Sequence, residues 1–231
     1  MRTYLKIALF SFSILLFTCS NSDDSNNGGG GGGGLVAQAT YRVTITGNWT
    51  AQTHPTDYPA NAGFDQLYFM AHSSSSSLYK LGLAGSDGLK AYATTGDISG
   101  LNAEHIQGED GVDPTVIAIG SDISATGTDS FTLTITPNTT LISFVARISP
   151  SPDWFVGTDS FNLANPDNTL VENMEFSLFP IDAGADGGTT YESPDDPNAG
   201  PVATISGDPF TGSNGFIQRL GSVSIERIDN N

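Results

Sequence analysis

Short apolar runs in which every second residue is polar, cut apart by stretches rich in Gly, Pro, Asp and Ser, set the strictest limit on what this chain can fold into. Tyr41, Val43 and Ile45 alternate with Arg42, Thr44 and Thr46, the period of two that turns one face of a strand to a core and the other to water. Residues 64–72 read as a second strand with Leu67, Phe69 and Ala71 on one face. Further strands are predicted at 116–119, at 131–136 with Phe131, Leu133 and Ile135 inward, and at 141–148. The run 170–178 alternates again, with Met174, Phe176 and Leu178 inward, and 222–228 closes the chain. Pro137, Asn138, Thr139 and Thr140 predict a tight turn that makes 131–136 and 141–148 a hairpin.

Helix signals are scarce. Residues 86–96 form the best candidate, capped by Ser86 and stopped at Gly96, and 101–106 add at most a further turn. Residues 73–77 read as a loop tip and 187–216 as long loops. Six to eight short strands with so little helix predict an all-β, antiparallel sandwich or barrel.

The N-terminus is of another kind. Arg2 and Lys6 precede an apolar stretch at 7–17, too short for the about 20 residues of a spanning helix and consistent with an export signal. The chain's single cysteine, Cys19, ends that stretch. Residues 16–19, Leu-Phe-Thr-Cys, resemble a bacterial lipobox, in which the cysteine is lipidated and becomes the first mature residue; Phe17 and Thr18 are bulkier than usual there. The expected organisation is a lipoprotein signal peptide at 1–18, a lipidated Cys19 with a Gly-rich tether at 19–40, and one domain at 41–231. Seven glycines at 28–34 make the tether a flexible coil spanning about 25 Å. Asp23 and Asp24, close behind Cys19, resemble a signal for surface export of lipoproteins. The expected location is therefore the outer membrane, lipid-anchored and facing the cell exterior, with a periplasm-facing or secreted protein as the alternative.

With one cysteine, the domain has to stand without disulfides. The 25 acidic residues of the whole chain against 8 basic, a formal charge of −17, repel nucleic acid and favour solubility and cation binding, so no nucleic-acid partner is expected. Asp153 follows one apolar run, and Asp182 and Asp186 follow another in a stretch with glycines at 184, 187 and 188. A Gly-rich loop bearing carboxylates at strand ends suits a hard cation such as Ca²⁺, which takes six to eight oxygens at about 2.3–2.6 Å. The same residue types also build ordinary turns.

Three stretches go beyond composition. Residues 150–157 (Pro-Ser-Pro-Asp-Trp-Phe-Val-Gly), 182–194 (Asp-Ala-Gly-Ala-Asp-Gly-Gly-Thr-Thr-Tyr-Glu-Ser-Pro) and 46–59 (Thr-Gly-Asn-Trp-Thr-Ala-Gln-Thr-His-Pro-Thr-Asp-Tyr-Pro) closely resemble the spondin domain family of F-spondin and mindin. The resemblance runs in matching order from about residue 41 to 228. It implies a C2-like β-sandwich and a Ca²⁺ ion held by Asp153, Asp182 and Asp186, with Ala185 standing where the family often has a polar residue. It also implies an adhesion role outside the cell toward an unknown protein or glycan. Thrombospondin-type repeats and a reelin-like domain are not recognised in this sequence, so adhesion carries over only as a class of role.

Trp49 and Trp154 are candidate partner contacts, each with the competing reading of a buried loop anchor. With Tyr58 they would form the platform of the alternative function, a calcium-stabilised carbohydrate-binding module. Catalysis is not expected: His54, His72 and His105 are scattered, and neither an HExxH nor a GxSxG motif occurs.

Overall fold

The computed structural model of the chain describes residues 38–106 and 115–229. The expected signal peptide, Cys19 and the tether up to residue 37 lie outside the described residues. Twelve strands and two helices follow one another: β1 (Ala39–Gly47), β2 (Gly63–Phe64), β3 (Tyr68–His72), α1 (Asp87–Thr95), α2 (Ile98–His105), β4 (Thr115–Ile119), β5 (Ile123–Ser124), β6 (Thr128–Ile135), β7 (Leu141–Ser149), β8 (Trp154–Asn162), β9 (Asn173–Leu178), β10 (Pro180–Asp182), β11 (Ala203–Thr204) and β12 (Gly221–Arg227). β1 starts two residues inside the segment expected to be tether.

Two antiparallel sheets face each other. The smaller runs β6-β1-β12-β9, with Val43 opposite Phe131 on one side and Ile225 on the other. The larger runs β11-β10-β8-β7-β2-β5, and the other half of the β7 edge pairs with β3, which in turn pairs with β4. In β1 the alternation works as expected, Tyr41, Val43 and Ile45 being buried. They join Leu133, Ile135, Val223 and Ile225 against Phe69, Ile142, Phe144, Ala146, Trp154 and Val156 of the larger sheet.

The larger sheet is covered on its outer face as well. There Tyr68, Met70, Val145, Phe155 and Ile181 pack beneath Leu89, Tyr92 and Ala93 of α1 and Leu101 of α2. Burial on both sides explains why β7 reads as a nearly continuous apolar run and why β8 opens on three buried apolar residues, Trp154, Phe155 and Val156. Each fully buried side chain of this size stabilises the fold by about 1.5–3 kcal/mol.

α1 starts and stops where its sequence signals lie. Ser86 Oγ accepts from Leu89 N at 3.1 Å, and Gly96, at φ 79°, donates its N–H to the Tyr92 carbonyl. α2 is longer than the single turn expected, with Asp97 as its N-cap. Glu104 of α2 reaches back to the start of α1, where Oε1 accepts from Gly88 N at 2.7 Å and Oε2 from the Ser86 hydroxyl at 2.6 Å.

The expected hairpin at 131–148 does not form. β6 pairs with β1 in the smaller sheet, and β7 pairs with β8, β3 and β2 in the larger one. The Pro137-containing turn therefore carries the chain from one sheet to the other. Thr139 Oγ1 accepts from Thr136 N at 2.9 Å, and Thr139 N donates to Thr136 O at 3.0 Å, which closes that crossover. A second crossover, at Phe179, separates β9 from β10 and brings Asp182 into the larger sheet.

Candidate metal centre

β7 ends at Ser149, and the chain turns through Pro150–Pro152 before β8 begins at Trp154. Ser151 holds the turn: its hydroxyl donates to Ile148 O at 2.6 Å and accepts from Trp154 N at 3.0 Å. Arg147 braces it from below, donating to Asp65 Oδ2 at 2.8 Å and to the Ala93 and Thr94 carbonyls at the end of α1. Asp153 is thus fixed at the mouth of β8.

β10 brings in the second carboxylate. Asp182 stands opposite Trp154 in the ladder, and one residue on, Ala183 N donates to Asp153 O at 3.1 Å. The chain then curls tightly. Gly184 has φ 71°, and a Cβ there would run into the Gly200 carbonyl, so only glycine serves. The curl aims successive amides at carboxylates: Gly184 N donates to Asp182 Oδ1 at 2.7 Å, and Ala185 N and Asp186 N donate to Asp153 Oδ2 at 2.6 and 3.1 Å. Gly188 N and Asp196 N donate to Asp186 Oδ1 at 2.7 and 3.2 Å.

Asp153, Asp182 and Asp186, expected from sequence as one site, are therefore knotted together by one loop at one end of the larger sheet. Asp153 is 0% exposed and Asp186 7%. Asp153 Oδ2 has two donors, but Oδ1 is buried with no hydrogen-bond partner. No cationic side chain among the described residues forms an ion pair with any of the three. Burial pushes the Asp153 carboxyl up to about 6; the Ala185 and Asp186 amides oppose this, and the Asp182 and Asp186 charges add to it. Asp182 is raised too, chiefly by burial, against the Gly184 amide and with the Asp186 charge.

A buried carboxylate oxygen with no donor and no counter-charge is the feature a bound cation would complete. The donor set is all oxygen and suits a hard ion. The fit has a limit: among the described residues no three His, Cys, Asp or Glu side chains stand round one point in ready-made metal-holding geometry. Two of the carboxylates face backbone amides of their own loop instead. Glu192 and Asp195 are exposed.

Trp49 and Trp154, read from sequence either as partner contacts or as buried loop anchors, are 0% and 2% exposed, which corrects the contact reading and agrees with the anchor reading. Trp49, Trp154, Tyr191 and Phe210 form one aromatic cluster, with Tyr191 ring centroids 5.5 Å from each indole and 5.6 Å from Phe210. Tyr58 is half-buried and meets Trp49 edge-on at 5.7 Å. The indoles therefore anchor the acidic loop to the core, through Tyr191, instead of offering a flat platform.

Asp159 escaped the sequence reading, because a lone acid in β8 carries no motif. It accepts from Leu78 N at 2.6 Å, Tyr79 N at 3.4 Å and the hydroxyls of Ser77, Ser143 and Ser160. His72 Nε2 lies 2.8 Å from the Ser143 hydroxyl, so a His, a Ser and an Asp do meet. His72 and Ser143 are fully buried, and serine, not histidine, stands between the other two. That order ties loop 73–79 to the sheet and differs from a nucleophile-activating triad, in which the base bridges.

Fold and site together define a class: a two-sheet antiparallel sandwich with uncompensated carboxylates gathered where loops leave the larger sheet. The family model Spondin_N matches residues 39–216, and the chain belongs to that family. It is 36% identical to human (Homo sapiens) Spondin-2 over 180 residues, 76% of this chain and 52% of the relative. It is 32% identical to Spondin-1 of Rattus norvegicus over 205 residues and 34% identical to Spondin-1 of Xenopus laevis over 204, in each case 82% of this chain and 25% of the relative. The chain thus spans about half the length of Spondin-2 and a quarter of Spondin-1.

Proposed function

We propose that this chain is a calcium-stabilised interaction module of adhesion type, working outside the cell and held at a bacterial outer-membrane surface by a lipid on Cys19. The observation that carries the metal reading is the buried, unpartnered Asp153 Oδ1 beside two further carboxylates with no cationic partner. Asp153, Asp182 and Asp186 would hold the ion, with backbone carbonyls and water completing an oxygen shell. When bound, Ca²⁺ supplies positive charge and cross-links the mouth of β8 to the loop after β10. Its role is structural, since an ion that binds only the folded chain stabilises it by mass action.

Adhesion is supported by membership of the spondin family and by a site that needs no substrate chemistry. The glycan-binding alternative has lost the exposed indoles on which it rested. No helix among the described residues is long and apolar enough to cross a membrane, so attachment in this reading depends on Cys19.

The metal reading is tested by thermal melts with calcium and with chelator. Chelation lowers the melting temperature of the parent chain, and Asp182→Asn loses most of that sensitivity. Superimposable parent melts would refute the site. Surface attachment is tested by protease shaving of intact cells: digestion of the domain agrees with it, and protection contradicts it.

A further inference from the structure

On the outer face of the larger sheet, His72 of β3 and Ser143 of β7 are both 0% exposed, so their polar atoms have to find partners inside the protein. His72 Nδ1 lies 2.7 Å from the Ser73 carbonyl oxygen, which can only accept, so Nδ1 carries a hydrogen. His72 Nε2 lies 2.8 Å from Ser143 Oγ, and that hydroxyl lies 3.0 Å from Asp159 Oδ1. The Ser160 amide donates to the same Oγ at 2.8 Å and occupies one of its lone pairs.

Counting hydrogens fixes the charge of this network. Ser143 has one hydroxyl hydrogen, and with a neutral ring both Nε2 and Oδ1 would need it. One of the two contacts would then set acceptor against acceptor in a buried place, where an unmet hydrogen bond is costly. One added proton satisfies every atom. Placed on Nε2, it lets the ring donate to Ser143 and Ser143 donate on to Asp159; placed on Asp159, it reverses both bonds. Asp159 is the poorer place, because Oδ1 already accepts from Leu78 N at 2.6 Å and Oδ2 from the Ser77 and Ser160 hydroxyls at 2.9 and 2.8 Å. Such donors favour the carboxylate. No basic side chain among the described residues forms a direct ion pair with Asp159.

The charged and titratable groups packed around the network are Glu104 and His105 of α2, Asp159 of β8, Tyr68 of β3 and Tyr79 of the loop. Thr115, opposite His72 in β4, brings no charge. Burial holds His105 below the usual imidazole range, with Glu104 and Asp159 opposing and His72 adding to the effect. Both tyrosines are pushed up, first by burial, and stay uncharged.

We propose that His72 is an imidazolium in the folded chain, that Ser143 relays its hydrogen bond to Asp159, and that loss of this proton at higher pH loosens loop 73–79 from the sheet. Asp159 gathers the amides of Leu78 and Tyr79, and Tyr79 meets Phe155 edge-on at 5.1 Å, so the same network that holds the proton holds the loop over the outer core. The proposal depends neither on the ion nor on the adhesion reading.

The test is a set of ring ¹⁵N–¹H correlation spectra of the histidines from pH 6 to 9, with chelator present throughout so that calcium plays no part. At pH 7 the His72 ring shows both nitrogens protonated, whereas His54 and His105, held below the usual range chiefly by burial, show one. As His72 loses its second proton toward pH 9, hydrogen-exchange protection at Leu78 and Tyr79 falls by about ten-fold, the worth of one hydrogen bond to a charged group, while Val43 and Ile225 of the smaller sheet keep theirs. Asp159→Asn returns the ring to neutral at pH 7, and the parent spectra decide the matter even where that variant does not fold. A neutral His72 ring in the parent at pH 7, a ring still doubly protonated at pH 9, deprotonation without loss of protection, or a doubly protonated ring in folded Asp159→Asn would overturn the proposal.

Discussion

Replacing Asp153 by Asn has opposite effects on stability with and without metal. In the metal-stripped protein the Asp153 carboxyl is raised from 3.8 to about 6, first by burial and then by the Asp182 and Asp186 charges. The sign follows from proton linkage. Between pH 4 and 6 the folded chain keeps a proton that the unfolded chain has released, so this group makes stability fall as pH rises, and its full cost applies above 6. A displacement of about two units at about 1.4 kcal/mol each corresponds to about 3 kcal/mol at the upper limit. Asn keeps an oxygen for the Ala185 and Asp186 amides and has no charge to bury. In chelator, Asp153→Asn is therefore nearly isoenergetic with the parent at pH 4 and about 2–3 kcal/mol more stable at pH 7. Urea denaturation from pH 4 to 8 reads the difference, using the fluorescence of the buried Trp49 and Trp154. With saturating calcium at pH 7 the order reverses, because the parent alone offers the ion a charged ligand at this position. A pH-independent gap between the two chains in chelator would refute the reasoning.

Asp159→Ala leaves the amides of Leu78 and Tyr79 and the hydroxyls of Ser77 and Ser143 without their shared acceptor; hydrogen bonds to a charged group of this kind are worth about 1.5–3 kcal/mol. A loss of about 2–3 kcal/mol in urea is expected, with faster hydrogen exchange at Leu78 and Tyr79 before the rest of the sheet. Trp49→Ala removes the centre of the aromatic cluster that holds Tyr191 and costs about 3–5 kcal/mol. A loss below about 1 kcal/mol would show that the indole does not anchor the loop.

What the sequence reveals follows how far each element's neighbours are local. β1 is legible because one face meets the core and the other water, so the period of two survives. α1 is legible because Ser86 and Gly96 cap it from within its own sequence. β7 loses its period because Ser143 and Val145 on its outer face are as buried as Ile142 and Phe144 on the inner one. Without that period a crossover between sheets looks like a hairpin, and Pro137 and Asn138 suit either. β8 escapes notice because Trp154 and Phe155 are read as part of a loop motif, although they already form a strand paired to β10.

The acidic site is legible for the same local reason: Asp182, Gly184 and Asp186 lie in one curl, whose two amides find Asp153 across the ladder. The buried, unpartnered Oδ1 and the facing of Asp186 toward Gly188 and Asp196 are tertiary results without a sequence signal. Trp49 and Trp154 give a similar lesson. An indole where a strand meets a loop looks the same in sequence whether it meets a partner or, as here, the hydrophobic core.

Isothermal titration of calcium into the metal-stripped protein tests most directly whether one cation joins these loops. The parent chain should take up one Ca²⁺ per molecule, with heat that disappears in Asp153→Asn and is strongly reduced in Asp186→Asn, both variants remaining folded by circular dichroism. No saturable heat in the folded parent, or a full response retained by Asp153→Asn, would contradict the account.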